Sequence, residues 1–191
     1  MNIKILSTVG PISCKKNDIK KLLYYGEILR TNASHNSIKW HEKISRIIKS
    51  INPEALHLFD IPGVKPRIKN SNAVQIKKNE KICFYFDKKK LNLKIKKIQL
   101  TKPIPNFNSN IKKFSVSDGQ YLFNVLEYKK NFIIGKSNSN FELLPFMGLN
   151  IPGAIYDENL QLSHCKSFLI KSKNVKYDAI GLSFVQSKDV V

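Results

Sequence analysis

The sequence predicts an α/β protein in which a run of parallel strand–helix units is interrupted by a small all-β insertion. Three observations predict it. Between residues 3 and 60, apolar runs of strand length alternate with stretches of helical spacing. From about residue 68 to 147 the helical periodicity disappears, and short apolar runs separated by turn clusters take over. After that, one more helical stretch and one more strand follow.

Residues 3–8 read as a short buried strand, with Ile3, Ile5 and Leu6 apolar and Val9-Gly10-Pro11 ending it. Asn17 or Asp18 can cap a helix through Leu22, Leu23 and Tyr24, which Gly26 ends. Residues 27–29 enter a second strand that reaches Arg30. In 37–51 the apolar residues Ile38, Ile44, Ile47, Ile48 and Ile51 fall close to helical spacing, and Pro53 stops the pattern. Residues 55–59 form a third strand ending at Asp60. Strand, helix, strand, helix, strand is the start of a parallel βαβαβ arrangement.

In the insertion, residues 73–76, 81–86, 91–98, 121–126 and 132–134 read as short strands. Turn clusters at 77–80, 103–110, 117–119 and 136–140 separate them, and Lys88-Lys89-Lys90 reads as a solvated turn. Residues 163–173 then read as a helix and 177–185 as a strand.

Composition limits the possible partners. The 191 residues carry a formal net charge of +19, which would attract phosphate backbones. The lysines, however, are spread along the chain, and abundant Lys, Asn and Ile are what an A/T-rich coding sequence produces. Nucleic acid is therefore set aside as a partner. No apolar run approaches the roughly 18 residues of a membrane span, and the N-terminus lacks the apolar run of a signal peptide. Cys14, Cys83 and Cys165 are far apart and odd in number, which predicts free thiols and a cytoplasmic protein. Among 33 basic residues only Arg30, Arg46 and Arg67 are arginine. Two of them lie in polar segments that directly follow strands, where a planar guanidinium can grip phosphate or carboxylate with two prongs.

Those segments carry a resemblance. Ser7-Thr8-Val9-Gly10-Pro11-Ile12-Ser13, Arg30-Thr31-Asn32-Ala33-Ser34-His35 and Asp60-Ile61-Pro62-Gly63-Val64-Lys65-Pro66-Arg67 occur in the order T-x-G-P-x-S, R-x-N-x-S-H, D-x-x-G-x-x-x-R. Ser117-Asp118-Gly119, Gly148-Leu149-Asn150-Ile151-Pro152-Gly153 and Asp178-Ala179-Ile180-Gly181-Leu182-Ser183-Phe184-Val185 follow. The chain resembles the opening part of a pyruvate kinase. The resemblance implies a partial TIM (β/α) barrel over residues 1–67 and 148–191, with an inserted all-β lid over 68–147. In such a barrel, chemistry gathers at the C-terminal ends of the strands.

The family transfers a phosphoryl group between phosphoenolpyruvate and ADP, using magnesium and potassium. By resemblance, Arg30 would contact the phosphoryl group, and His35, Arg67 and Asn32 would lie beside the nucleotide phosphates. Asn32, Ser34, Asp60 and the carbonyl of Ile61 would hold a monovalent cation, and Asp118 would belong to the lid. Simpler readings stand beside these: Asn32 and Ser34 could cap the next helix, and Asp60 could pair with a nearby lysine. Potassium-dependent members carry Glu where this chain has Lys65, so a Lys65 ammonium could replace the ion.

Phe146-Met147 stands where the family has a lysine. No counterpart of the K-I-E-N segment, with its catalytic lysine and metal glutamate, or of A-R-G-D-L-G occurs in the 191 residues. The expectation is thus a half barrel without magnesium ligands, with an open apolar seam near Ile3 and Ile180. Three roles remain: a non-catalytic binder of a small phosphorylated ligand or nucleotide, a phosphotransferase completed by a second chain or a homo-oligomer, or an interaction protein with remnant motifs.

Overall fold

The computed structural model describes residues 4–87, 93–107, 110–129 and 131–188. In chain order the first elements are β1 (Leu6–Thr8), α1 (Lys16–Tyr25), β2 (Ile28–Asn32), α2 (Ile38–Ile51) and β3 (Leu56–Ile61). Then come β4 (Val74–Ile76), β5 (Lys81–Tyr85), β6 (Lys96–Gln99), β7 (Lys113–Val116), β8 (Tyr121–Lys129), β9 (Phe132–Ser137), β10 (Phe141–Leu143) and β11 (Leu149–Asn150). The chain closes with α3 (Glu158–Lys171) and β12 (Ala179–Leu182). It divides into two compact units, Met1–Gly63 with Glu158–Val191, and Val64–Asp157.

In the first unit β1, β2, β3 and β12 form a parallel sheet in that order. Strand alternation gives this sheet two different faces. Leu29, Phe59 and Ile61 turn to one side and are buried with Ile19 of α1, Ile44 and Ile48 of α2, and Cys165 and Phe168 of α3. On the other side, Leu6, Ile28 and Leu56 share a register row at the N-terminal ends of the strands. Thr8, Arg30, Asn32 and Asp60 lie at the C-terminal ends. This second face is poorly covered, with Leu6 at 44% exposure and Leu56 at 43%. The first strand was expected to be buried. Ile3 lies outside the described residues, and β1 is an edge strand with neighbours on one side only.

A buried polar network locks β3 to its surroundings. His57 is fully buried, and its Nδ1 lies 2.6 Å from the Lys176 carbonyl. A carbonyl can only accept, so Nδ1 carries the proton and Nε2 accepts from the Thr31 hydroxyl at 2.9 Å. The His57 backbone N–H donates to Asp178, which also holds Lys49 at 2.8 Å. Lys49 in turn reaches the carbonyls of Pro53 and Ala55. One acid just before β12 thus ties α2 and β3 together.

The second unit contains only strands among its described elements. β11, β7, β8, β9, β5 and β6 form one sheet in that order, and β10 pairs with β4. Its core is aromatic: Phe114 and Phe123 stack with centroids 5.1 Å apart, and Phe84 meets both edge-on. Gly135 lies beneath them, where a Cβ would fall 2.5 Å from the Phe114 ring. The pairing draws flanking residues into the unit, because Arg67 bridges to Gly148 and Asn106 to Ile155.

Several local expectations shift. The α1 N-cap is Lys15, with Asp18 inside the first turn, so neither Asn17 nor Asp18 caps it. α3 begins at Glu158, before the expected 163. β7, β10 and β11 were not foreseen, since each is too short for alternation to stand out. Part of the stretch expected as a turn at 136–140 continues β9. Lys88-Lys89-Lys90 lies outside the described residues, as do Leu91 and Asn92 of the expected 91–98 strand. Among the described residues no helix is long and apolar enough to cross a membrane, and Cys14, Cys83 and Cys165 are free thiols.

Burial holds the pKa of His57 and of His41 below the ordinary histidine value, against the hydrogen bonds to Lys176 and His35 that favour the charged form. Both are neutral in the folded chain, whereas the unfolded chain takes up protons as pH falls through about 6.5. Their contribution is therefore present above that value and lost below it. Unfolding free energy from urea titrations is expected to fall between pH 7 and 5, by at most about 1.4 kcal/mol per pH unit for each histidine. His57→Gln should flatten that slope.

Candidate functional site

The polar end of the parallel sheet is organised by Arg30. It stands on the poorly covered face of β2, in register with Thr8 of β1, and Asn32 sits opposite Asp60 on β3. Two strand steps separate Arg30 from Asn32, so the arginine reaches Asp60 diagonally. Its Nε donates to Asp60 Oδ2 at 3.0 Å, a terminal nitrogen contacts the same oxygen, and the other terminal nitrogen donates to the Thr8 hydroxyl at 3.0 Å. The other carboxylate oxygen accepts from Ser183, just beyond β12, at 3.5 Å. A guanidinium has five N–H donors and three are engaged, so two remain for an anion.

Asn32 and Ser34 have a local role. The Asn32 side-chain oxygen accepts from the Ser34 backbone N–H at 2.9 Å, shaping the turn after β2. The helix cap is Ser37, whose hydroxyl accepts from the Trp40 N–H. Asn32 and Ser34 therefore do not cap α2, and Asp60 pairs with arginine rather than lysine. His35 is exposed, and its carbonyl accepts from the ring of His41 at 2.8 Å. The side chain of Ile61 is buried with Phe59, so its carbonyl is the only oxygen it offers.

The other expected site residues lie in the second unit. Lys65 holds Asp118 at 2.8 Å. That hydrogen bond and charge lower the Asp118 pKa, and the charge of Arg67 adds to the effect. Arg67 donates to the Phe146 carbonyl at 3.1 Å. Gly148 allows the Lys65 stem to pass, since a Cβ there would come within 2.7 Å of it. Arg30, Asn32, Ser34, His35, Asp60 and Ile61 thus belong to one unit, and Lys65, Arg67 and Asp118 to the other.

Two contributors carried a sequence signal without being assigned a role. Thr8 lies in the first motif and Ser183 in the last, and both hydrogen-bond to the Arg30–Asp60 pair. The glycine of the third motif is also explained. Gly63 leaves room for the ring of Phe184, which a Cβ would meet at 2.4 Å. Phe184 sits in the left-handed backbone region at φ 62°. The structure does not explain Gly10, where a Cβ would touch nothing.

A parallel sheet flanked by helices, with an arginine–carboxylate pair at the C-terminal ends of its strands, makes the first unit an α/β structure. A family model described as pyruvate kinase, barrel domain, matches residues 1–191. The chain belongs to the pyruvate kinase family. It is 29% identical to the pyruvate kinase of Thermococcus litoralis over 201 residues, covering 96% of this chain and 40% of that protein. It is 25% identical over 194 residues to the pyruvate kinase of Buchnera aphidicola subsp. Schizaphis graminum, covering 97% and 40%. A pyruvate kinase of Thermoplasma acidophilum matches at 32% over 68 residues, covering 35% of this chain. The chain spans about 40% of the length of the first two relatives.

Gly63→Ala is expected to push Phe184 aside and destabilise the chain by about 1–2 kcal/mol through overpacking. Gly10→Ala, with open space around it, should change stability by less than about 0.5 kcal/mol. Paired urea titrations measure the difference.

Proposed function

We propose that the chain binds a small phosphorylated ligand, such as phosphoenolpyruvate or a nucleotide, with Arg30 taking the phosphoryl group. The observation that carries this reading is the Arg30 guanidinium, fixed by Asp60 and Thr8 with two N–H donors unspent. A fork held before ligand arrives loses little freedom on binding. In this reading the parallel sheet is part of a (β/α) barrel and the second unit is its lid. Asn32, His35 and Arg67 then serve the nucleotide side.

The oxygens of Asn32, Ser34 and Asp60 gather at the ends of β2 and β3 and would suit a monovalent cation, which would lend positive charge beside the phosphoryl group. Such an ion would share Asp60 with Arg30. Lys65 would replace it if its ammonium served that site, although within its own unit it is paired with Asp118. Among the described residues no group of three or more His, Cys, Asp or Glu is placed to hold a metal. The role proposed for these residues is binding of the phosphorylated ligand.

Ligand-shift melting tests this reading. Phosphoenolpyruvate at about 100 times its Kd should stabilise the fold by about 2.7 kcal/mol. Arg30→Lys should remove most of that shift, because a point charge cannot make the two-pronged contact. Potassium should not be required, and the purified chain should form no ATP from phosphoenolpyruvate and ADP. A shift seen only with potassium would refute the Lys65 part. A shift unchanged in Arg30→Lys would refute the site.

The poorly covered sheet face favours a second reading, a phosphotransferase completed by another chain or a second copy. β1 and β12 are edge strands, and Leu6, Leu56 and Ile180 are exposed. Covering such an edge is the direct remedy for it. Sedimentation at micromolar concentration is expected to show a dimer or larger species, and a stable monomer would count against this reading.

A further inference from the structure

On the face opposite its aromatic core, the second unit's sheet carries a small buried cluster of Cys83, Tyr85 and Ile134, and beside that cluster a row of basic residues. In register across the sheet lie Lys113 of β7, Asn124 of β8, Lys136 of β9 and Lys81 of β5. Among the described residues, none of the three lysines has an acidic partner. Lys136 and Lys81 are a directly opposed pair, and like charges facing one another across a ladder reduce sheet stability. Lysines often guard the edges of sheets against unwanted pairing. That role does not apply here: β8, β9 and β5 are interior strands, and β7 lies between β11 and β8.

The same row opens at one end into a groove of about 810 Å³, lined by Lys112, Lys113, Asn124, Leu126, Glu127 and Tyr128 among others. The groove lies at the irregular pairing between Val125 and Glu127 of β8. Its one carboxylate, Glu127, is paired with Lys129 at 3.0 Å. Two same-face steps along the strands from the lysine row, beyond Ile134 and Cys83, Phe132 is half-buried against that cluster, in register with Tyr85.

We propose that this face binds single-stranded nucleic acid, with Lys81, Lys113 and Lys136 on the phosphate backbone and the groove admitting a base. A row of cations crossing a sheet, beside a cleft with amide and aromatic side chains, is what a strand-tracking surface requires. Adjacent strands lie about 4.8 Å apart, so the row presents its charges over roughly 15 Å. The sequence argued against nucleic acid because lysines are scattered along the chain. The fold gathers three of them, from three separate strands, into one line without a carboxylate. This site is independent of Arg30.

The test uses the full chain and a fluorescent 15-nucleotide oligothymidine, followed by anisotropy at 20 to 200 mM salt. Lys81→Gln/Lys113→Gln/Lys136→Gln is compared with Lys16→Gln/Lys20→Gln/Lys43→Gln, three exposed lysines of the first unit, which lowers the net charge equally. The expected result is that the first triple weakens binding at least tenfold and flattens the salt dependence by roughly 2 units of slope. The control triple should stay within twofold of the unsubstituted chain. Equal losses in the two triples would show bulk charge alone and overturn the proposal. So would no binding at 20 mM salt, or stronger binding to phosphatidylserine vesicles than to the oligonucleotide. Circular dichroism melting of both triples separates loss of contact from loss of fold. A first triple that has unfolded is replaced by the single variants Lys81→Gln and Lys136→Gln, each expected to weaken binding, and no loss in either would overturn the proposal.

Discussion

The pairing of Arg30 with Asp60 reaches every strand of the parallel sheet. Arg30 belongs to β2 and Asp60 to β3. Thr8 adds β1 through the guanidinium, and Ser183 adds the end of β12 through the carboxylate. Both charged side chains are mostly withdrawn from solvent. Removing either would leave an uncompensated charge, which costs more than the pair itself contributes. A lysine at position 30 could match the charge but not the planar fork that gives Asp60 two N–H donors and Thr8 a third. This gives a physical reason for one of the three arginines in a chain whose other 30 basic residues are lysine.

Much of the first unit was legible because its elements are long and its punctuation is strong. α2 carries isoleucines at helical spacing, a Ser37 cap and Pro53 beyond its end, and it lies where the pattern put it. The motif residues were legible as a set, and the structure brings Arg30, Asn32, Ser34, His35 and Asp60 to one end of the sheet. Their partners were less legible. Nothing in the residue pattern shows that Thr8 and Ser183 are the hydroxyls beside the pair, because the contacts span 22 and 123 positions. The insertion was legible as a class but not strand by strand. Lys113–Val116 and Phe141–Leu143 are too short to display a period, and only pairing with Tyr121–Lys129 and Val74–Ile76 defines them.

The family's glycines have separate physical causes here. Gly63 makes room for Phe184 and Gly148 for the stem of Lys65, so each pairs a bare backbone with a long side chain distant in sequence. Gly119 and Gly153 adopt positive φ, as tight turns require. A pattern that treats these glycines alike merges two requirements, space and backbone conformation, and only the folded chain separates them.

The insertion between β3 and β12 also bears on how the sheet assembles. β12 must find β3 across 117 intervening residues, a long loop to close if that segment were slack. The insertion has its own core, however, and near its ends Arg67 bridges to Gly148. Once that unit has folded, the effective loop shrinks to residues 62–66 and 149–178, and α3 orders part of the second stretch. Closure entropy rises with the logarithm of loop length, so this shortening lowers the cost of adding the last strand. The chain is thereby biased towards an order of events. The local β1-α1-β2-α2-β3 run forms first from nearby contacts, and the insertion forms from contacts within itself. The fourth strand then docks, secured by Asp178 against Lys49 and His57.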